Sequence, residues 1–277
     1  MSFDPISQDL PINPDFPPSS TGIEIDSHGS MLHGVMYRAG GEGTHPLIIL
    51  LHGIPGHERN FDLAHILWRA GYHVAVFHYR GSWGSAGDYR FAHVLADVEA
   101  VINHYKQDTI AQQHRIDTSR ILLMGHSLGG WASLVGLMRG QVTIAIAIAS
   151  ANVGLMGAMI EDDPDIQRKL TAQFLDPLTT PLTNVTGADL VIELEAHADE
   201  WDYTQHTKQF VDKKLLVIGA EQDEIAPVGM YHHPFVTLLT KRDPQYFTHT
   251  ILDTDHSFSG KRVALARLIL NWLHANL

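Results

Sequence analysis

Short runs of consecutive apolar residues alternate along this chain with longer stretches in which apolar residues return every third or fourth place. Residues 23–25, 32–40, 46–53, 73–81, 120–127, 143–151, 214–222 and 246–253 are runs of the first kind and predict strands. Several, such as LIILL at 47–51, are apolar without interruption, as expected of strands covered on both faces. Residues 60–71, 91–107, 131–140, 234–243 and 261–277 carry the helical period, with Gly71 as the stop of the first. This alternation predicts an α/β fold: an open, mostly parallel eight-stranded sheet with helices on both faces. The DSHGS turn at 26–30 predicts an antiparallel hairpin at its start.

Two segments depart from the rhythm. Residues 1–20 are rich in proline and read as an arm preceding a domain at 21–277. Residues 152–210 are far longer than a single crossover and hold two helical patterns separated by DPLTTPLTNVTG at 176–187, which predicts a small helical cap or lid. In its second pattern Val191, Leu194, Ala198 and Trp201 recur at helical spacing, while Glu193, Glu195, Asp199, Glu200 and Asp202 take other positions. The pattern reads as an amphipathic helix with a solvated acidic face; the alternative is an acidic rim selecting cationic substrates.

Composition narrows the classes of function. A formal charge of −12 opposes binding to nucleic acid or anionic lipid, and there is no basic stripe to reverse this. No apolar run approaches the ~20 residues that span a bilayer, and no basic-plus-apolar leader opens the sequence, so a cytoplasmic location is expected. The absence of cysteine removes thiol catalysis, disulfides and thiolate metal sites. The 19 histidines are scattered, with no HExxH pair, so no metal is expected.

One histidine and one serine stand out for their setting. In MGHSLGG at 124–130 a strand runs into Gly125-His126-Ser127-Leu128-Gly129 and then a helix, the pattern of a sharp turn that exposes a serine hydroxyl at the carboxyl edge of a sheet. Ser127 could merely cap that helix, but a nucleophile requires an acid and then a histidine further along. Asp223 lies just beyond the run at 214–222 and His256 just beyond the run at 246–253. Glu221 is a rival acid; Asp255 is poorly placed to orient its own sequence neighbour, and Asp253 sits near the strand end. Developing negative charge also needs donors, and the backbone N–H groups of Ile54, in HGIPGHERN, and of Leu128 are candidates. His52 reads as a structural hydrogen-bonder in that loop. In YRGSWGSAG at 79–87 the glycine spacing does not suit a nucleotide, so no nucleotide cofactor is expected.

The set HGIPGHERN, FHYRGSWGSAGDY, GHSLGG, GAEQDEIAP and DHSFS resembles the α/β-hydrolase superfamily, and within it the bacterial serine esterases and prolyl-oligopeptidase-like catalytic domains, over residues 22–277. The resemblance implies the α/β-hydrolase fold, a Ser127–Asp223–His256 triad, oxyanion donors at Ile54 and Leu128, and no metal or organic cofactor. It also implies that the loop at 79–87 lines the pocket near the nucleophile, making Arg80 and Trp83 candidates to face the substrate, with loop packing as the alternative; His126 is a further pocket candidate. No N-terminal stretch is long enough for the β-propeller of the larger peptidases. The expected activity is therefore hydrolysis of small carboxylic esters through an acyl-enzyme, with an amidase or small-peptide peptidase, and a silent ligand-binding relative, as alternatives. A carboxylate-nucleophile dehalogenase or epoxide hydrolase does not fit Ser127.

Overall fold

The computed structural model describes residues 3–10, 12–161 and 164–277. Along the chain come β1 (Ser19–Ser27), β2 (Ser30–Arg38), β3 (His45–Leu51), α1 (Phe61–Arg69), β4 (His73–Phe77), α2 (Phe91–Lys106), α3 (Asp108–His114), β5 (Ile116–His126), α4 (Leu128–Met138) and β6 (Ile144–Ile148). A helical insertion follows: α5 (Val153–Glu161), α6 (Pro164–Lys169), a π-helical turn (Leu170–Leu175), α7 (Asp176–Thr179), α8 (Gly187–Ala196), α9 (Ala198–Trp201) and a 3-10 segment (Tyr203–Phe210). The chain then returns to the sheet through β7 (Lys214–Ala220), α10 (His232–Thr240), β8 (Phe247–Leu252) and α11 (Arg262–Asn276).

The strands form one eight-stranded sheet in the order β1-β2-β4-β3-β5-β6-β7-β8. The pairs β1–β2 and β2–β4 are antiparallel, and every pair from β4 to β8 is parallel. Side chains on β3 alternate between faces, and both faces are dry. Leu47, Ile49 and Leu51 join a core with α2, α4 and the insertion, whereas Ile48 and Leu50 pack with Leu63 and Leu67 of α1 and with Leu265, Ile269 and Leu273 of α11. That double burial is why the central runs carry no polar alternation.

Departures from the sequence pattern have local causes. β1 starts at Ser19, inside the expected arm, because Ser19 to Ser27 pair in unbroken register with β2. The rest of the arm lies on its own domain: Arg69 Nε donates to Pro5 O (2.7 Å), Arg267 pairs with Asp4 (3.1 Å), and Arg115 covers the Phe16 ring at 5.2 Å. α3 was not foreseen, since in DTIAQQH only Ala111 is buried and no apolar face shows. Residues 176–179 are helical instead of a break, with Pro177 in the first turn, where its missing N–H loses no hydrogen bond. The acidic face is also less solvated than expected. Glu193 accepts hydrogen bonds from the N–H groups of Phe91 and Ala92 at the start of α2 (2.9 and 3.2 Å), and Asp202 is buried, accepting from Asn152 Nδ2 at 2.6 Å. Among the described residues no helix is long and apolar enough to cross a membrane.

Burial holds several histidines neutral. It lowers His52 to about 3, and His73, His78, His126 and His232 to about 4. His73 shows why: its Nδ1 accepts from Ala39 N (2.9 Å) while its Nε2 donates to Arg115 O (3.0 Å), a pattern only the neutral ring can satisfy. In the unfolded chain these rings titrate near 6.5. Between that value and about 4 the unfolded state therefore binds more protons, so stability must fall as pH falls through this window. Thermal melting from pH 7.5 to 4.5 is expected to show a flat upper range and a midpoint that drops steadily below about 6.5; a midpoint constant to pH 4.5 would contradict the neutral assignment.

Candidate active site

The carboxyl ends of β3, β5, β7 and β8 bring the sequence-predicted residues to one edge of the sheet. β5 ends at His126 and α4 begins at Leu128, leaving Ser127 alone to reverse the chain, with φ 59° and ψ −120°. A side chain rarely adopts this conformation, and the surroundings hold it there. Ser127 N donates to Ile148 O (2.9 Å), and Ser127 O accepts from Trp131 N and Ala151 N (3.1 and 3.3 Å). The reversal also presses backbone against backbone. A Cβ on Gly125 would lie 2.0 Å from Gly129 O, and one on Gly129 would lie 2.2 Å from Leu51 O.

His256 follows β8, and Asp223 follows β7. His256 Nδ1 donates to Asp223 Oδ2 at 2.6 Å, which leaves Nε2 as the ring's acceptor. The other carboxylate oxygen accepts from Ile225 N and Ala226 N (2.8 and 2.7 Å). Burial alone would raise the Asp223 pKa, but the hydrogen bonds from His256, Ala226 and Ile225 outweigh it and hold the carboxyl below its usual range. The rival acids are engaged elsewhere or exposed: Glu221 is exposed, Asp253 accepts from Gln222 Nε2 (2.7 Å), and Asp255 accepts from Ser259 N (2.8 Å). Among the described residues Ser127 Oγ has no hydrogen-bond partner.

The loop after β3 reaches the same place. A Cβ on Gly53 would meet Ser127 Oγ at 3.5 Å, so the adjoining Ile54 lies beside the elbow. The Ile54 N–H has no acceptor among the described residues, and Leu128 opens α4, ahead of that helix's own acceptors. His52 braces this loop from within: Nδ1 donates to Gly53 O (2.7 Å), and its carbonyl accepts from Tyr79 Oη (3.0 Å).

The three pocket candidates divide. Trp83 stays at the carboxyl edge, half-buried, donating from Nε1 to Pro55 O at 2.5 Å, with the Arg59 guanidinium 4.6 Å from its ring centroid. Arg80 turns inward: its Nε and backbone N bind the two oxygens of buried Asp97 (2.6 and 2.7 Å), so its contacts are those of loop packing and not of a substrate-facing cation. His126 is likewise buried and contacts the His256 loop, not an open cavity. Two residues at this edge were missed by the sequence reading. Asp97 sits on α2 with no local sign of its role, and Arg262, at the start of α11, binds Asp62, Asn60 Oδ1 (2.9 Å) and Ser257 O (3.2 Å), tying the His256 loop to α1. Among the described residues no group of three or more His, Asp or Glu is placed to hold a metal ion.

A strand-elbow-helix serine, a histidine backed by a carboxylate, and a doubly wound eight-stranded sheet together define an α/β-hydrolase architecture. Residues 48–268 match the model of the alpha/beta hydrolase family, and the chain belongs to that family. Comparison with curated proteins finds no match. Solved structures do match. An acylaminoacyl peptidase from Pyrococcus horikoshii is 17% identical at a TM-score of 0.69, over 93% of this chain and 41% of the peptidase. The esterase Pf2001 from Pyrococcus furiosus is 16% identical at 0.66, over 97% of this chain and 99% of the esterase. Est1E from Butyrivibrio proteoclasticus, solved with ferulic acid bound, is 19% identical at 0.66, over 91% and 98%. At these identities the likeness speaks to the fold. The chain spans about two fifths of the peptidase and nearly all of each esterase.

The close packing at the elbow carries a prediction. Gly129→Ala should destabilise the protein by about 3 kcal/mol, because its methyl group meets a strand carbonyl that cannot move aside. Gly22→Ala, with open space around it, serves as the control. Urea unfolding of both variants measures the difference, and equal stabilities would show that the elbow relaxes freely.

Proposed function

We propose that this protein is a serine hydrolase that cleaves small carboxylic esters through an acyl-enzyme. The observation that carries this reading is the 2.6 Å contact from His256 Nδ1 to Asp223 Oδ2, at the sheet edge where Ser127 stands on its left-handed turn. A proton fixed on Nδ1 by an ionised carboxylate leaves Nε2 free to accept one from the serine hydroxyl.

In this reading His256 Nε2 takes the Ser127 proton as Oγ attacks the acyl carbonyl. Asp223 holds the imidazole in its tautomer and stabilises the imidazolium that forms. The N–H groups of Ile54 and Leu128 receive the negative charge on the former carbonyl oxygen; one such donor typically contributes about 10²–10³ in rate. His256 returns the proton to the departing alcohol. It then takes a proton from water, whose oxygen attacks the acyl carbon, and Ser127 Oγ leaves with that proton as the acid is released. Every atom and proton is accounted for by substrate, water and these three side chains. An amide or small-peptide substrate is the second reading, supported by the peptidase among the structural neighbours. Esters are the easier acyl donors, and the chain's near-complete coverage of two esterases favours them.

A panel of p-nitrophenyl esters and aminoacyl anilides tests both readings. Ester turnover is expected to exceed anilide turnover and to fall by about 10⁴-fold or more in Ser127→Ala, with Asp223→Asn losing about 10³–10⁴-fold. A fluorophosphonate probe should label the parent protein and not Ser127→Ala. Substantial turnover by folded Ser127→Ala would remove the nucleophile from this scheme, and a parent protein inert to the probe would point to a silent site.

A further inference from the structure

We propose that His126, the residue immediately before the nucleophile, is a positioning residue that sets the location of the base by holding the backbone of His256; this rests on the roles assigned above to Ser127 and His256. His126 Nε2–H donates to the His256 carbonyl at 2.8 Å, and the two rings stand 4.6 Å apart between centroids. The side chain is only 4% exposed, so it does not reach substrate.

The loop bearing His256 is largely exposed and mostly self-bonded: Phe258 N donates to Asp255 O (3.0 Å), Lys261 N to Phe258 O (2.9 Å), and Ser259 N to Asp255 Oδ1 (2.8 Å). Bonds of this kind fix the loop's shape but not its place. Its ties to the body include the His256 ring on Asp223 (2.6 Å), Asp253 accepting from Gln222 Nε2 (2.7 Å), the Phe258 ring, fully buried and 6.5 Å from His126, the Thr254 carbonyl accepting from Gln222 N (2.9 Å), Arg262 on Ser257 O (3.2 Å), and His126. Among these, Asp223 holds the His256 ring, while His126 holds the His256 main-chain carbonyl and is covalently joined to Ser127. One residue thus registers both reacting groups, by a peptide bond on one side and a hydrogen bond on the other.

Imidazole suits this position for two reasons. Its Nε2 reaches farther than a serine or asparagine donor would, and an apolar ring there would leave the carbonyl without its donor. Burial also keeps it neutral, near 4, with the charge of the His256 ring and of Arg262 adding to that effect and the hydrogen bond to the His256 carbonyl and Asp223 opposing it. No like charge then faces the imidazolium that forms on His256 during turnover.

The experiment compares His126→Phe, which keeps volume and loses the donor, with His126→Gln, whose amide nitrogen reaches about as far as Nε2. Steady-state kinetics on a p-nitrophenyl ester are expected to show kcat reduced tenfold or more in the phenylalanine variant, KM within twofold of the parent, and most of the loss restored in the glutamine variant. Proton NMR supplies a readout independent of turnover: the low-field resonance of the His256–Asp223 hydrogen bond should shift or broaden in His126→Phe and persist in His126→Gln. Should the phenylalanine variant fail to fold, His126→Asn, whose amide stops short of the carbonyl, takes its place with the same expected loss. An unchanged kcat, equal losses in both variants, or a rise in KM alone would overturn the proposal. Loss of the esterase scheme itself would show separately, as Ser127-independent turnover, with the NMR comparison still reporting on His256.

Discussion

The reversal of the chain at Ser127 is the constraint on which the arrangement of the sheet's carboxyl edge depends. One residue turns a central strand into a helix, and it does so in a backbone conformation that L-residues avoid. The contacts that hold it come from three directions: β6 through Ile148 O, the helix through Trp131 N, and β3 through the close approach of Gly129 to Leu51. Because β3 lies beside β5 in the sheet, the same approach brings the loop at Gly53 and Ile54 against the serine. Strand order therefore determines which loop stands beside Ser127.

Much of this was legible in the sequence, for identifiable reasons. Strands sealed on both faces leave an unbroken apolar run, and β3, β4, β6 and β7 were read from it. The elbow was readable because its steric demands fall on neighbours in sequence, Gly125 and Gly129. That His256 pairs with Asp223 and not Glu221 is less legible in sequence, since the N–H donors of Ile225 and Ala226 that hold the Asp223 carboxylate belong to the folded turn. Contacts distant in sequence left no trace. Nothing in YRGSWGSAG shows that Arg80 will find Asp97 on the next helix, or that Arg262 will reach Asp62 and Asn60. The helical segment at 176–179 was hidden because a proline in a first turn looks, without its context, like a break.

Among the described residues, neutral histidines take structural places in the interior. His52, His73 and His126 each donate to a main-chain carbonyl, of Gly53, Arg115 and His256 respectively, and each keeps its ring uncharged by burial. They join loops to the sheet without the desolvation that a buried charge would require. Arg80–Asp97 is a buried ion pair, and its three further hydrogen-bond partners, Ser27 Oγ, the Arg80 backbone N–H and the His93 carbonyl, offset the burial only in part, since desolvation still holds the Asp97 carboxyl above its usual range.

The bonds from the start of α2 to Glu193 reach further than their lengths suggest. They join groups about a hundred positions apart in the chain, and the Trp131 indole adds a second link, to Trp201 O at 3.0 Å, from the helix that Ser127 begins. The insertion cannot peel away alone: its departure would strip the first N–H groups of α2 of their acceptor and uncover the aromatic cluster over α4. An opening of the insertion would therefore disturb α2 and α4 together, so its contacts tie a segment far along the chain to the helix that follows Ser127.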